Sequence, residues 1–82
     1  MKRFCKAYVV SKMQKGRRLY QKSSLGEWVD NMLDAFFYSN KENAVESMRD
    51  DMRHWQPYCE RNKIPVHWEI LEVEMKVNKI EI

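Results

Sequence analysis

A helical repeat of apolar residues between residues 39 and 59 is the feature that most constrains the fold of this chain. The segment reads SNKENAVESMRDDMRHWQPYC, and its apolar side chains recur at spacings of three and four residues. They are Val45, Met48, Met52, Trp55 and Cys59. This spacing lines them along one side of a helix. A helix with one apolar side must pack that side against another element, and strand-like segments before and after it can supply the contact.

The ends of this helix are predicted from capping residues and from proline. Ser39 and Glu42 form an S-x-x-E capping box, in which each side chain bonds the backbone N–H of the other residue. Pro57 either kinks the helix or ends it about two residues earlier, because a proline removes one backbone hydrogen bond. Asn62-Lys63 is the expected C-terminal stop.

Three segments have the composition and alternation of β-strands. They are residues 4–13, 17–22 and 66–77. Gln14-Lys15-Gly16 is a turn that joins the first two into a basic hairpin. Residues 23–31 fit either a loop or a short irregular strand. Residues 35–38, AFFY, read as another short strand, or as the far end of an interrupted second strand.

These elements predict one α+β domain spanning residues 1–82. The expected architecture has two layers, with a small antiparallel or mixed sheet of three to four strands and one long helix packed on one face, in ββ(β)αβ order. A chain of this length has room for one hydrophobic core.

The alternation along the strands predicts which face the helix covers. In the first strand Cys5, Ala7, Val9 and Met13 form the cleaner apolar face, so this face is expected to lie under the helix. Trp68 and Ile70 of the last strand fall opposite Leu71 and Val73. With Phe4 and Tyr8, Trp68 and Ile70 are expected to form an apolar patch on the uncovered face. Such patches often mark protein interfaces or homodimer contacts. The alternative is that the long lysine and arginine side chains of the hairpin cover the patch.

The distribution of charge is more informative than the net charge of +3. Residues 1–24 hold eight basic residues and no acidic residue, whereas residues 25–82 hold seven basic and twelve acidic residues. The molecule is therefore electrically two-sided, which bears on its partners rather than on its fold.

Several functional classes lack their sequence signatures. No stretch approaches the roughly 18 apolar residues of a membrane span, and the first residues lack the apolar core of a signal peptide, so the cytoplasm is the expected location. Cys5 and Cys59 follow no framework pattern and are read as free thiols. His54, Cys59 and His67 do not match a zinc pattern, and no nucleophile or phosphate-loop motif is present. No catalytic residue, metal or cofactor is therefore predicted.

Two binding functions fit what remains. The leading hypothesis is a non-enzymatic protein that binds another macromolecule and blocks it by occlusion, with charge steering the encounter and aromatic residues anchoring it. The predicted contact residues are Lys15, Arg17, Arg18, Tyr20 and Trp68. The alternative is nucleic-acid binding through residues 1–24, whose interleaved cations and aromatics could track phosphates and stack on bases.

The segment from Trp28 to Ala44, WVDNMLDAFFYSNKENA, resembles small accessory proteins of tailed phages and prophages. The resemblance rests on a G-x-W-like turn, a D-A-x-x-F-type strand and an S-x-x-E-A helix start. The matching positions are Gly26, Trp28, Asp34-Ala35, Phe37, Ser39, Glu42 and Ala44. The resemblance implies a viral protein that acts in the host cytoplasm by binding a host enzyme or defence complex, in the manner of anti-CRISPR proteins. It assigns no site residues.

Overall fold

The fold is a four-stranded antiparallel sheet with one long helix, seen in a computed structural model that describes residues 2–23 and 26–78, with side chains over 5–23 and 26–75. Its elements are β1 (Lys2–Gln14), β2 (Arg17–Gln21), β3 (Trp28–Val29), a 3₁₀ turn (Met32–Asp34), α1 (Lys41–Arg61) and β4 (Val66–Asn78). The predicted α+β class and ββ(β)αβ order are confirmed, and all strand pairs are antiparallel.

The sheet has the strand order β3-β2-β1-β4, so β1 is central and β4 lies at an edge. β1 and β4 form one continuous ladder from Lys2 opposite Asn78 to Gln14 opposite Val66. β1 and β2 form the predicted hairpin, whose two turn residues both have positive φ, 53° at Lys15 and 75° at Gly16. A two-residue loop with positive φ at both positions follows the right-handed twist of the strands it joins.

Residues 35–38 form no strand of their own, which corrects one of the two sequence readings. Instead, Tyr38 makes an isolated antiparallel bridge with Tyr8. The backbone N–H of Phe36 also donates to the carbonyl of Gln21, the last residue of β2. The segment therefore continues along the β1 edge beyond the end of β2, as the second reading proposed.

The helix begins one residue later than the capping box predicted. Asn40 is the N-cap, and its side chain accepts a 2.7 Å hydrogen bond from the backbone N–H of Glu42. The Ser39 capping box was therefore wrong, because asparagine is at least as good a cap and stands at the residue where the extended backbone turns helical. Pro57 lies within α1 and does not end it, whereas Asn62 is the C-cap, as predicted.

The helix covers the opposite sheet face from the one predicted. Asp51 of α1 contacts Lys12 and Trp68, and these two strand residues are cross-strand neighbours that share a face. Because side chains alternate along a strand, Tyr8 and Val10 also face the helix. The apolar set headed by Cys5 and Ala7 therefore lies on the other face, called the far face below.

Polar contacts make up a large part of the boundary between helix and sheet. Tyr38 Oη donates to Gln21 Oε1 at 2.7 Å and lies 2.9 Å from Ser47 Oγ, which is itself 3.0 Å from Gln21 Oε1. Ser47 belongs to α1, so this network joins the helix to the end of β2. Val10 on the same face of β1 and Ala44 of α1, both fully buried and apolar, supply the surrounding packing.

One sequence prediction falls outside what the structure describes, since it placed the side chain of Phe4 in the apolar patch.

Candidate interaction surface

The two predicted contact residues nearest the hairpin turn are exposed. Lys15 lies in the turn itself, and its backbone N–H donates to the carbonyl of Pro65. Arg17 begins β2, and its side chain is 70 % exposed beside Asp30, with an N–O distance of 3.4 Å. An ion pair this exposed contributes little to stability, so Arg17 can exchange partners at little energetic expense.

Arg18 and Tyr20 lie on the far face of the sheet. The Arg18 guanidinium donates to the Glu69 carboxylate and, at 3.1 Å, to Ser11 Oγ. Tyr20 stands directly opposite Ser11 and Val29 in the ladder, which places it on the same face. Arg18 is thus held within the sheet by side chains of β1 and β4.

Trp68 does not lie on an uncovered face, so the reasoning that made it a contact residue was wrong. Its side chain is buried beneath α1, and its indole N–H donates to the Asp51 carboxylate at 2.7 Å. The predicted patch failed because the helix covers the face that carries Lys12, Ile70 and Trp68. The five predicted residues therefore do not form one surface.

Most of the cationic side chains described in the basic segment are already paired with carboxylates. Six such side chains lie within the described part of residues 1–24, and four form ion pairs. The pairs are Lys6–Glu72, Lys12–Asp51, Arg17–Asp30 and Arg18–Glu69. Lys15 and Lys22 are exposed. This pairing lowers the positive potential that the sequence alone would suggest for the hairpin.

Lys12 and Asp51 form the most enclosed ion pair in the described chain. The Lys12 ammonium lies 3.7 Å from the Asp51 carboxylate and 4.1 Å from the centre of the Trp28 ring. The Lys12 and Asp51 side chains are 9 % and 8 % exposed. Burying a charged pair is costly unless hydrogen bonds and aromatic contacts complete its surroundings, and here Trp28 and Trp68 do so.

Trp55 and Tyr58 form an exposed aromatic pair on the last turns of α1. They are 42 % and 49 % exposed, and their ring centres lie 6.0 Å apart in an edge-to-face arrangement. His54 packs against Trp55 with a ring separation of 5.0 Å. Trp55 was predicted to be core, and its exposure corrects that reading.

Two clefts adjoin this aromatic pair, and Trp55 lines both. The larger cleft, about 320 Å³, lies towards β2 and includes Ser47, Asp51 and His54 in its wall. The smaller cleft, about 170 Å³, is lined by Tyr58 together with strand residues. The Lys12–Asp51 pair lies between them, since Asp51 borders the first cleft and Lys12 the second. Trp55, Tyr58 and the two clefts are together called the aromatic surface below.

A larger depression of about 510 Å³ runs along the first turns of α1. Its walls are mostly charged side chains, with Val45 as the apolar exception. Because long charged side chains in water fill such a space readily, it is an ordinary solvated helix surface.

The spacing of two aromatic residues in the sequence could have indicated the aromatic surface, but the apolar repeat of the helix was interpreted as core instead. Trp55 and Tyr58 stand three residues apart and so meet on one side of the helix. Only Trp55 belongs to the apolar repeat, so it was predicted to be a core residue. Its place beside Tyr58 at the edge of that repeat was not recognised.

Comparison of the chain with known protein families, with curated proteins and with solved structures gives no match. Across residues 2–23 and 26–78, no helix has the length and apolar character needed to cross a membrane. The same residues contain no cluster of three or more potential metal ligands from histidine, cysteine, aspartate or glutamate.

Proposed function

We propose that this protein is a non-enzymatic binding protein that occludes a partner protein through the aromatic surface. The observation that carries the proposal is the exposed pair of Trp55 and Tyr58 beside two clefts. Tryptophan and tyrosine supply large amphipathic contact areas at a small loss of side-chain entropy, and they are enriched among the residues that dominate binding energy. This surface replaces the hairpin residues as the main contact.

The partner is proposed to be a host protein or defence complex. Support comes from the resemblance of residues 26–44 to phage accessory proteins. The exposed Lys15 and Arg17 would then steer the encounter and mainly affect the association rate, since charges at the rim of an interface act chiefly on that rate.

Nucleic-acid binding by the basic hairpin has less support. Affinity for nucleic acid depends on cations that are available to displace counterions from phosphates. Of the six cations described in that segment, Lys12 and Arg18 are held within the fold by Asp51 and Glu69. Lys6 and Arg17 are exposed, but each stands beside a carboxylate that offsets its charge. The alternative predicts that bound material is lost on nuclease treatment, and this separates it from the main proposal.

The test is capture of partners from bacterial lysate by the tagged protein, before and after nuclease treatment. A discrete protein should remain after nuclease treatment, and Trp55→Ala combined with Tyr58→Ala should weaken its binding about thirtyfold or more, as expected for two anchor residues. Gln56→Ala, an exposed change on the same helix, is the matched control and should retain the partner. Retention of the partner by the double variant, or loss of all bound material with nuclease, would overturn the proposal.

A further inference from the structure

The outer edge of β4 is a long strand edge that the described chain leaves unpaired. β4 pairs with β1 on one side through thirteen consecutive residue pairs and has no strand on its other side. Neither a bulge nor a proline interrupts this ladder. Proteins commonly protect such edges with bulges, prolines or covering segments, because an open edge presents a template for another strand.

The backbone groups that point outward from β4 can be identified from the bridge between Tyr8 and Tyr38. These two residues exchange both backbone hydrogen bonds, each 2.8 Å long, so the peptide groups of Tyr8 face away from β4. Glu72, the partner of Tyr8 in β4, must then direct its own N–H and C=O away from β1. By alternation, Ile70 and Glu74 do the same. These three residues define the β4 edge.

Backbone bonds within the described ranges do not satisfy this edge. The backbone hydrogen bonds outside regular elements end at other residues, and none involves the β4 edge. Five consecutive residues, 70–74, thus offer three outward N–H groups and three outward C=O groups. This is the arrangement by which a sheet accepts an additional strand.

The side chains along this edge define the chemistry of the strand that fits it. Glu72 and Glu74 are exposed and share one face, whereas Leu71, Val73 and Met75 share the other. Glu72 also lies 3.7 Å from Lys6 of β1, in an ion pair so exposed that Glu72 can exchange this partner for another cation. Met75 is 43 % exposed. In an antiparallel pair, directly opposite residues lie on the same face, and opposite charges there are stabilising. An incoming strand with basic residues opposite the two glutamates and an apolar residue opposite Val73 is therefore complementary.

A second copy of this chain fits the same edge less well. A twofold axis at Glu72 or Glu74 would place that glutamate opposite itself, and an axis at Val73 would place Glu72 opposite Glu74. Like charges directly opposite each other destabilise a strand pair. Charge therefore disfavours self-pairing about an axis at residues 72–74, and an axis at Ile70 or Leu71 leaves both glutamates opposite uncharged residues, so a basic strand is the better match to residues 70–74. An axis at Met75 would set Glu74 opposite Lys76, and the sedimentation measurement below tests for that dimer.

We propose that the β4 edge binds an extended segment of the partner protein with the alternating pattern basic, apolar, basic. The segment adds a fifth, antiparallel strand beside β4, held by backbone hydrogen bonds and by ion pairs to Glu72 and Glu74. This inference rests on the proposed binding of a partner protein but uses a different surface from Trp55 and Tyr58.

The test measures binding of two fluorescent peptides to the full chain by anisotropy. One peptide alternates lysine with valine, and its control alternates glutamate with valine. The wild-type protein should bind the lysine peptide and not the glutamate peptide. Glu72→Lys combined with Glu74→Lys should reverse this preference. Equal binding of both peptides, binding of neither, or an unchanged preference in the variant would overturn the proposal.

Two further variants separate backbone pairing from charge and from the aromatic surface. Glu74→Pro removes one outward N–H without removing a bond to β1, whereas Glu74→Gln removes the charge alone. Glu74→Pro should therefore weaken binding of the lysine peptide roughly tenfold more than Glu74→Gln does. The variant with both Trp55→Ala and Tyr58→Ala should bind the lysine peptide as the wild type does. Peptide binding at the β4 edge is therefore tested independently of partner binding at the aromatic surface. A wild-type dimer in sedimentation that Glu74→Pro abolishes would show that a second copy occupies the edge and would overturn the proposal.

Discussion

The indole N–H of Trp68 donates to the carboxylate of Asp51 at 2.7 Å, joining the edge strand to the helix through a buried hydrogen bond. The same carboxylate oxygen lies 3.7 Å from the Lys12 ammonium. One helix residue therefore satisfies polar groups of two neighbouring strands. It fixes the position of α1 over β1 and β4 more specifically than apolar packing alone.

Asp51→Ala is expected to lower the free energy of unfolding by about 3–5 kcal/mol, because it leaves the Lys12 charge buried without a partner. Asp50→Ala is the matched control: Asp50 is the neighbouring, exposed acid, and its i,i+3 pair with Arg53 contributes little. Urea unfolding followed by circular dichroism measures both changes. A loss below about 1 kcal/mol for Asp51→Ala would contradict this account.

Combining Lys12→Met with Asp51→Leu should recover much of the stability lost in Asp51→Ala. A buried ion pair can often be replaced by apolar residues of similar volume at little net loss, whereas removal of one partner is costly. The double variant therefore distinguishes an unpaired charge from a simple packing defect. If the double variant is as unstable as Asp51→Ala, the Lys12 charge is not the cause.

The two candidate caps at the start of α1 can be separated by substitution. Asn40→Ala should destabilise the protein by about 1 kcal/mol, since it removes the side-chain acceptor for the Glu42 N–H. Ser39→Ala should change stability by less than about 0.5 kcal/mol, because Ser39 is exposed and precedes the cap. Thermal or urea unfolding of both variants provides the measurement. The reverse order would restore the capping box that the sequence suggested.

The elements and their order could be predicted because each depends on local pattern. Residues 66–77 alternate cleanly, residues 45–59 repeat at helical spacing, and Asn62 is a recognisable stop. Such signals do not require knowledge of which elements meet. They were sufficient for the fold class and for the hairpin.

The covered face could not be predicted in the same way, because it depends on a contact between distant residues. From the sequence alone, Lys12 indicates that its face of β1 is exposed to solvent. Only when Asp51 comes from the helix and Trp28 from β3 does that face become a place where a lysine can be buried. The error then passed to Trp68 and to the apolar patch, since both were assigned relative to the same face.

The positive φ angles of the hairpin turn predict opposite effects of substitution at its two residues. Gly16 has a φ of 75°, so Gly16→Ala should lower stability by roughly 1–2 kcal/mol through the left-handed backbone, although a Cβ there would meet no neighbouring atom. Lys15→Asn should raise stability by about 0.5 kcal/mol, because asparagine accepts positive φ more readily than lysine in such turns. Unfolding midpoints of the two variants should therefore move in opposite directions. Equal shifts in the same direction would contradict the turn geometry.

The two arginines at the start of β2 should respond differently to charge reversal. Arg17→Glu should leave stability within about 0.5 kcal/mol of wild type, because its pair with Asp30 is exposed. Arg18→Glu should lose roughly 1.5–3 kcal/mol, because it removes charged hydrogen bonds to Glu69 and Ser11 and places two carboxylates together. Urea unfolding measures both. Equal stability of the two variants would show that Arg18 is not held by the sheet.

Because Arg18 supports the fold and Arg17 does not, reversing the charge of both arginines would confound loss of folding with loss of binding. Lys15→Glu combined with Lys22→Glu, at two exposed positions, is the cleaner probe of whether the hairpin contacts nucleic acid.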